Sequence, residues 1–494
     1  MRQLTVADLI EGMSGWRPAN METPVRPVLD SREAQPHTIF FAFKGERVDG
    51  HDYVGDAFNR GAIAAVIERD VDVRADVIDT TQAPPATPPT LPLLIRVPNT
   101  LEALQNAARF WRQQLDAGRS ANLRVIGITG SVGKTTTKEV VTKVLASRYR
   151  VQRSIGSYNN EIGLPMTLLQ LTGEDAEVGL PTYVVLEMGM YVRGDIRLLA
   201  EIARPHVGIV TNVEPVHLER AGTIENIALG KRELVESLPP APEGIAILNY
   251  DDRRVWAMAE HTQARTFFYG LSPKADLWAD NVETQGLEGI RLRLHYAGEQ
   301  LYVKVPLLGR HSAHTVLRAT AAGLVEGLDW QEIIEGLRAP GAQLRLVAVK
   351  GVQDTLILDD TYNSSPASAL AALNLLQSIE GRKIAVLGDM LELGDYEEAG
   401  HLKVGCRAAS IVAELITVGK RAHYIAQGAE LCGLSRNQVH ETPDCESAVA
   451  VLRQILRPKD VILVKGSRGL KMEQIVTLLT TAATPPGPGP KELS

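Results

Sequence analysis

One run constrains this chain more than any other: Gly130-Ser131-Val132-Gly133-Lys134-Thr135-Thr136-Thr137, set directly behind the apolar stretch Val125-Ile126-Gly127-Ile128. It reads as a strand, a glycine-rich turn and a helix whose first turn carries a lysine and threonines. Such a unit suits a polyphosphate. Glycines let the backbone approach, exposed N–H groups and the helix dipole attract anions, and Lys134 adds a full charge. Thr135 places a hydroxyl where a phosphate-bound Mg²⁺ needs one. The loop is shorter than the strict pattern, which has a glycine where Ile128 stands, so Gly130 and Gly133 do the turning. A bland turn explains the glycines but not Lys134 followed by three threonines. The run therefore reads as a nucleotide site.

At 494 residues the chain is long enough for about three domains. A composition of 45% apolar and 22% charged residues is that of a globular protein. The net charge of −7 gives no pull toward nucleic acid or membrane, so an anionic substrate must be met by local positive groups. Asp8 and Glu11 interrupt any signal-like apolar core near the N-terminus, and no apolar run approaches the ~20 residues of a membrane span. The expectation is a cytoplasmic chain. Cys406, Cys432 and Cys445 are too few for a disulfide framework and form no CxxC pair, so three reduced, buried thiols are expected.

Along the chain, Thr38 to Phe43 and Ala62 to Ile67 read as strands. The proline stretch 83–89 reads as a surface loop, and Thr100 to Leu115 as a helix with Leu101, Leu104, Ala107, Ala108 and Trp111 on one face. Behind the glycine loop, Val140, Val141, Val144 and Leu145 mark a helix packing on a sheet. Continuous apolar runs at 183–186, 207–210 and 245–248 read as parallel strands covered on both faces, joined by helices such as 224–238. A third α/β rhythm follows, with strands at 356–358, 384–387, 415–418 and 461–464. The expected units are 1–117, 118–338 and 339–483, followed by a disordered proline–glycine tail, 484–494.

An open parallel sheet places its ligands at the carboxyl ends of its strands. Glu187 stands at such an end, Thr211-Asn212 follows the next strand, and His217 and Lys231 come after it. Taken singly, Glu187 reads equally well as a solvated strand-end acid, His217 reads rather as a structural histidine, and Lys231 reads as a surface helix lysine. Beside a phosphate loop, the acid and the imidazole together make a Mg²⁺ site.

Gly130 to Lys138, Asn159-Asn160-Glu161-Ile162-Gly163-Leu164-Pro165, Glu187, and Thr211-Asn212-Val213 through His217-Leu218 to Lys231 resemble the central domain of the Mur ligases. These ATP-dependent enzymes add amino acids to the peptidoglycan precursor. The resemblance extends over nearly the whole chain except the tail. It implies three α/β domains: a small one binding a UDP-sugar, a central mononucleotide-binding one with a parallel sheet, and a Rossmann-like one receiving the amine. Asp30-Ser31-Arg32, Phe40 to Gly45 and Asp49-Gly50-His51 resemble the N-terminal domain of the third- and fourth-step members. The runs 359–366, 387–394 and 464–468 are similar to those of the last-step member. Its substrates are UDP-MurNAc-tripeptide and D-alanyl-D-alanine. The Asp-Asn-Pro-Arg run by which diaminopimelate-adding members hold their amino acid is absent.

The resemblance implies roles. Gly130, Ser131, Val132, Gly133, Lys134, Thr135 and Thr136 would cradle ATP, with Thr135, Glu187, His217 and Lys231 forming the Mg²⁺ environment. Lys231 would take up CO₂ as a carbamate, which requires a neutral amine and so a depressed pKa. Asn159 or Asn160 would approach the γ-phosphate, and Arg345 would reach the phosphates on closure. Asp360 and Asn363 would border the nucleotide and the dipeptide. Ser31, Arg32, Gly50, His51, Lys465 and Ser467 are the matched substrate-binding positions, in a chain expected to act as a monomer. Two departures stand out. Val132 replaces a common asparagine, and Ser312 and Thr315 stand where many members carry asparagines, with Thr315 still offering a hydroxyl near the adenine.

Competing readings are a diaminopimelate-adding ligase, a folylpolyglutamate synthase, and a nucleotide-driven switch that releases phosphate without both substrates. The Asp49-Gly50-His51 region argues against the folate enzyme. A dinucleotide oxidoreductase fails because no GxGxxG opens any βα unit.

Overall fold

A computed structural model describes residues 3–45, 48–117, 123–156, 158–171, 182–216, 218–339 and 347–480. They build three α/β units in chain order. The first sheet contains β1 (Arg26–Val28), β2 (Thr38–Phe41), β3 (Ala64–Ile67), β4 (Asp76–Asp79) and β5 (Leu93–Arg96), all parallel, in the order β1-β2-β3-β5-β4. β2 and β3 are buried along their whole length, as apolar runs covered on both faces must be. The proline stretch lies between β4 and β5, outside any helix or strand and mostly exposed.

The helix Thr100–Ala117 follows, and it serves two domains. Leu104, Ala107, Ala108 and Trp111 join one continuous core with Ile39, Phe41 and Val66 on one side and Leu164, Val184 and Leu199 on the other. The Trp111 indole N–H donates to the Leu171 carbonyl at 3.2 Å, and the buried Arg112 guanidinium donates to the Ala203 carbonyl at 2.9 Å. Separating the first two units would expose Trp111, a loss of about 3–5 kcal/mol by the measure of buried-tryptophan truncations. They move as one body.

The second sheet contains β6 (Arg124–Thr129), β7 (Arg150–Arg153), β8 (Thr182–Glu187), β9 (Val207–Val210), β10 (Ile245–Asn249), β11 (Arg265–Gly270), β12 (Leu277–Thr284), β13 (Ile290–Tyr296) and β14 (Glu299–Val305). Their order is β14-β13-β12-β11-β10-β9-β6-β8-β7. The expected parallel sheet needs a correction at one edge, because β12–β13 and β13–β14 pair antiparallel. These strands alternate. Ile290, Leu292 and Leu294 are buried while Arg291 is exposed, the pattern of a sheet with one solvated face.

The third sheet contains β15 (Val347–Lys350), β16 (Leu356–Asp360), β17 (Lys383–Gly388), β18 (Glu414–Val418), β19 (Val439–Thr442) and β20 (Val461–Lys465), in the order β15-β16-β20-β17-β18-β19. Only β15 is antiparallel. Each face has its own core, and of the described residues before β15 only Leu308 joins either. This unit shares little apolar core with the other two.

The expectation of three reduced thiols holds only at Cys445, which is buried against the Leu470 carbonyl. Cys406 and Cys432 are joined as a disulfide, with Cα atoms 5.0 Å apart. The helices Glu397–Ala409 and His423–Leu431 pack side by side and bring them together, a proximity that a separation of 26 residues does not signal. Thiol titration of the denatured, unreduced protein is expected to give one thiol per chain, rising to three after reduction. Three before reduction would show that the pair stays open.

Candidate active site

β6 lies between β8 and β9, so the chain leaves it for opposite sides of the sheet, and the loop 130–133 occupies that switch point. Gly130 has φ +145°, and a Cβ there would collide with the Thr211 side chain. Gly133, at φ +85°, caps the helix Lys134–Ala146. The loop is pinned from β9. The Ser131 N–H donates to the Asn212 carbonyl at 3.0 Å, and the Val132 N–H to Asn212 Oδ1 at 2.9 Å. The Thr211 hydroxyl donates to the Val132 carbonyl at 2.7 Å, and the Ser131 hydroxyl to the Glu214 carbonyl at 2.9 Å. Val132 is thus held through its backbone. Lys134 Nζ folds back to the Gly130 carbonyl at 2.8 Å, and the first helical turn, with Thr136, faces the cleft.

Glu187 ends β8 and is 1% exposed. Its carboxylate accepts the Thr135 hydroxyl at 2.7 Å and Asn159 Nδ2 at 2.8 Å, uniting three residues singled out from the sequence. Asn160 instead accepts the Gly163 N–H at 2.9 Å, fixing the start of the helix Gly163–Leu169 at the cleft wall. The hydroxyl and carboxylate oxygens at this point are hard donors and fit Mg²⁺. Among the described residues no group of three or more histidine, cysteine or acidic side chains gathers. His217 and Arg345 lie outside the described residues.

Lys231 is carried by the helix Ile224–Glu236, lines the same cleft and is only 3% exposed. Among the described residues it makes no hydrogen bond or ion pair. Burial first, and the neighbouring Lys134 cation second, push its ammonium well below the usual lysine range.

The third unit closes the opposite wall. Register sets Asp360 beside Lys465 at the carboxyl ends of β16 and β20. Lys465 Nζ donates to Asp360 Oδ2 at 2.7 Å and to the Asn363 carbonyl at 2.8 Å. Asn363 Oδ1 accepts the Ser364 N–H, and Ser467 Oγ accepts the Leu391 N–H, both at 2.9 Å. Between the two walls lies a cleft of about 1310 Å³.

Four proposed substrate contacts lie elsewhere, on the first unit. Ser31 donates to Asp56 at 2.9 Å, the Gly50 N–H donates to the Phe43 carbonyl at 2.7 Å, and the exposed Arg32 pairs with Asp30. His51 needs a correction. Its Nδ1 lies 2.6 Å from Asp49, its Nε2 accepts the Glu68 N–H at 2.8 Å, and it is 4% exposed. Both ring nitrogens are spent inside the domain, so the imidazole is a structural tie.

Sequence reasoning missed Arg318, a buried cleft residue on the helix Ser312–Val325. The signal was present as a lone arginine within Val316 to Ala322, an otherwise uncharged and largely apolar run.

Three family models match in chain order: the Mur ligase family catalytic domain over residues 28–112, the Mur ligase middle domain over 128–323, and the Mur ligase glutamate ligase domain over 344–468. The chain is 34% identical over 478 residues to the UDP-N-acetylmuramoyl-tripeptide–D-alanyl-D-alanine ligase of Bacillus subtilis, an alignment covering 95% of this chain and 96% of the relative. A crystal structure of MurF from Acinetobacter baumannii superposes with a TM-score of 0.81 at 27% identity, over 97% of this chain and 99% of that one. The MurF ligase of Thermotoga maritima in complex with ADP gives a TM-score of 0.73 at 27% identity, over 92% and 97% of the two chains. With its sheet order, its phosphate loop and its two-walled cleft, the chain belongs to the Mur ligase family.

Proposed function

We propose that this chain is a cytoplasmic, monomeric, ADP-forming ligase that joins D-alanyl-D-alanine to UDP-MurNAc-tripeptide in peptidoglycan precursor synthesis. The observation that carries the reading is the meeting, across one cleft, of the Lys134 loop and the Thr135–Glu187–Asn159 cluster with the Asp360–Lys465 pair. An ATP-dependent ligase needs two anions held together and an amine delivered from the other side. The functional units are 1–117 for the UDP-sugar peptide, 118–338 for ATP and 339–483 for the dipeptide.

In the first step a carboxylate oxygen of the tripeptide attacks the γ-phosphorus. The bond to ADP breaks and an acyl phosphate forms. The dipeptide amine then attacks the acyl carbon, loses a proton, and inorganic phosphate leaves as the amide bond is completed. Lys134 and the backbone N–H groups at the start of its helix hold the phosphates and offset the repulsion between the two anions. Thr135 and Glu187, with His217, would hold Mg²⁺, which adds positive charge beside the transferring phosphoryl group when bound. Asn159 fixes the Glu187 carboxylate. The neutral Lys231 amine can form an N–C bond to CO₂ and release a proton, leaving a carboxylate near Lys134. Arg345, which falls between the second and third units in the sequence, would supply a further cation on closure. Movement of the third unit against the rigid first pair excludes water from the acyl phosphate.

The test is phosphate release from ATP with the tripeptide substrate and D-alanyl-D-alanine supplied separately and together. Release only with both, with a product heavier by one dipeptide, is the expected result. Release with neither substrate would replace the ligase with a nucleotide switch.

A further inference from the structure

Among the described residues, Arg318 is a buried cation without a counter-ion. It is 4% exposed, and among the described residues no carboxylate lies within ion-pair distance of it. Nη2 donates to the Thr315 hydroxyl at 2.9 Å, and the guanidinium carbon lies 5.9 Å from the centre of the Tyr269 ring. Nε is buried and has no partner. The Tyr269 hydroxyl also faces the guanidinium, but two neutral hydroxyls and a π-face supply no countercharge, and an unpaired buried charge is strongly destabilising. Its place in the fold suggests what compensates. It lines the cleft, and Nη2 would stand 3.3 Å from a Cβ on Gly133, the residue that caps the phosphate-loop helix. The missing side chain at Gly133 lets the guanidinium reach the loop from behind.

We propose that Arg318 is a nucleotide-binding residue, its guanidinium pairing with a phosphate oxygen of a nucleoside polyphosphate seated on the 130–136 loop. The proposal deepens the ligase reading and rests on it. Guanidinium is suited to the task, since its fork gives directed, charge-assisted hydrogen bonds and its weak hydration tolerates burial. Thr315 at i−3 on the same helix orients the fork, and Tyr269 is itself anchored by its hydroxyl to the Val210 and Thr211 carbonyls at 3.2 and 3.1 Å. The loop and the arginine are thus registered to the same strand end.

The test is calorimetric titration of the full chain with ADP and with adenosine, alongside melting with and without ADP. Arg318→Met is expected to weaken ADP about tenfold or more while leaving adenosine unchanged, the signature of a lost charge-assisted phosphate contact. Its melting temperature without nucleotide should equal or exceed that of the native chain, because an unpaired charge has been removed, and the ADP-induced rise should shrink. Arg318→Lys should fall between the two, and it carries the same comparison if the methionine variant does not fold. Unchanged ADP affinity in either variant would overturn the proposal. So would equal losses for ADP and adenosine, which would mark a purely structural role. A native chain that binds no ADP would instead overturn the ligase reading itself.

Discussion

Replacing Lys231 by alanine is expected to lower kcat by at least about 100-fold, the scale of losing one preorganised electrostatic group in an active site. The fold should survive the change, because the amine makes no hydrogen bond or ion pair among the described residues whose loss could unfold the chain. Two physical facts make this lysine unusual. It is buried in a cleft wall, and the Lys134 cation stands near enough to oppose its protonation. A neutral amine so placed is nucleophilic toward CO₂, and a carbamate formed on it would set a negative charge beside the Lys134 cation, where an ammonium would set a second positive one. Small carboxylates such as acetate should restore part of the Lys231→Ala activity by occupying the vacated space. Isotopically labelled bicarbonate should give a carbamate resonance in the native chain that is missing from the variant. Full activity without added carboxylate would remove the carbamate from the mechanism.

The sequence exposed the parts of this fold that repeat a strong physical pattern. β2, β3, β6, β8, β9, β10, β16, β17, β18 and β20 are buried on both faces, so each appears as a continuous apolar run. β12 to β14 have one solvated face, so their apolar residues alternate with Arg291, Lys304 and other polar ones and escape a search for runs. β1, β4, β7, β15 and β19 lie at sheet edges, where short half-exposed segments suffice. The site was legible in a similar way. Lys134, Thr135 and Glu187 stand at or just after recognisable strands, Asn159 was named by resemblance, and hydrogen bonds join Thr135, Glu187 and Asn159. His51 was named because Asp49-Gly50-His51 resembles the family's N-terminal domain, whereas here the backbone of Glu68 claims its second nitrogen. Arg318 was overlooked. The sequence shows only a lone arginine in an uncharged run, and that no carboxylate of the described residues pairs with it becomes visible only in the fold.

Lys134→Met should cost about 10³-fold in kcat, and the figure follows from the first chemical step. Bringing a carboxylate to within about 4 Å of a phosphate charge costs about 4 kcal/mol at an effective dielectric of 20. A cation between them removes repulsion of that order, and each 1.36 kcal/mol or so is tenfold in rate. Methionine keeps most of the length of the side chain and removes the charge, together with the contacts to the Gly130 and Ser131 carbonyls. Phosphate release with both substrates present is the measurement, and near-native turnover would sink the phosphate-loop assignment. The two lysines should also be coupled. Removing the Lys134 charge relieves the push that keeps the Lys231 amine neutral, although burial remains the larger cause. Lys134→Met should therefore take up less labelled bicarbonate than the native chain. Combining it with Lys231→Ala should cost less than the product of the two single losses, because residues that act as a unit do not contribute additively. Strictly multiplicative losses would mean that the cation holds phosphate alone and takes no part in forming the carbamate.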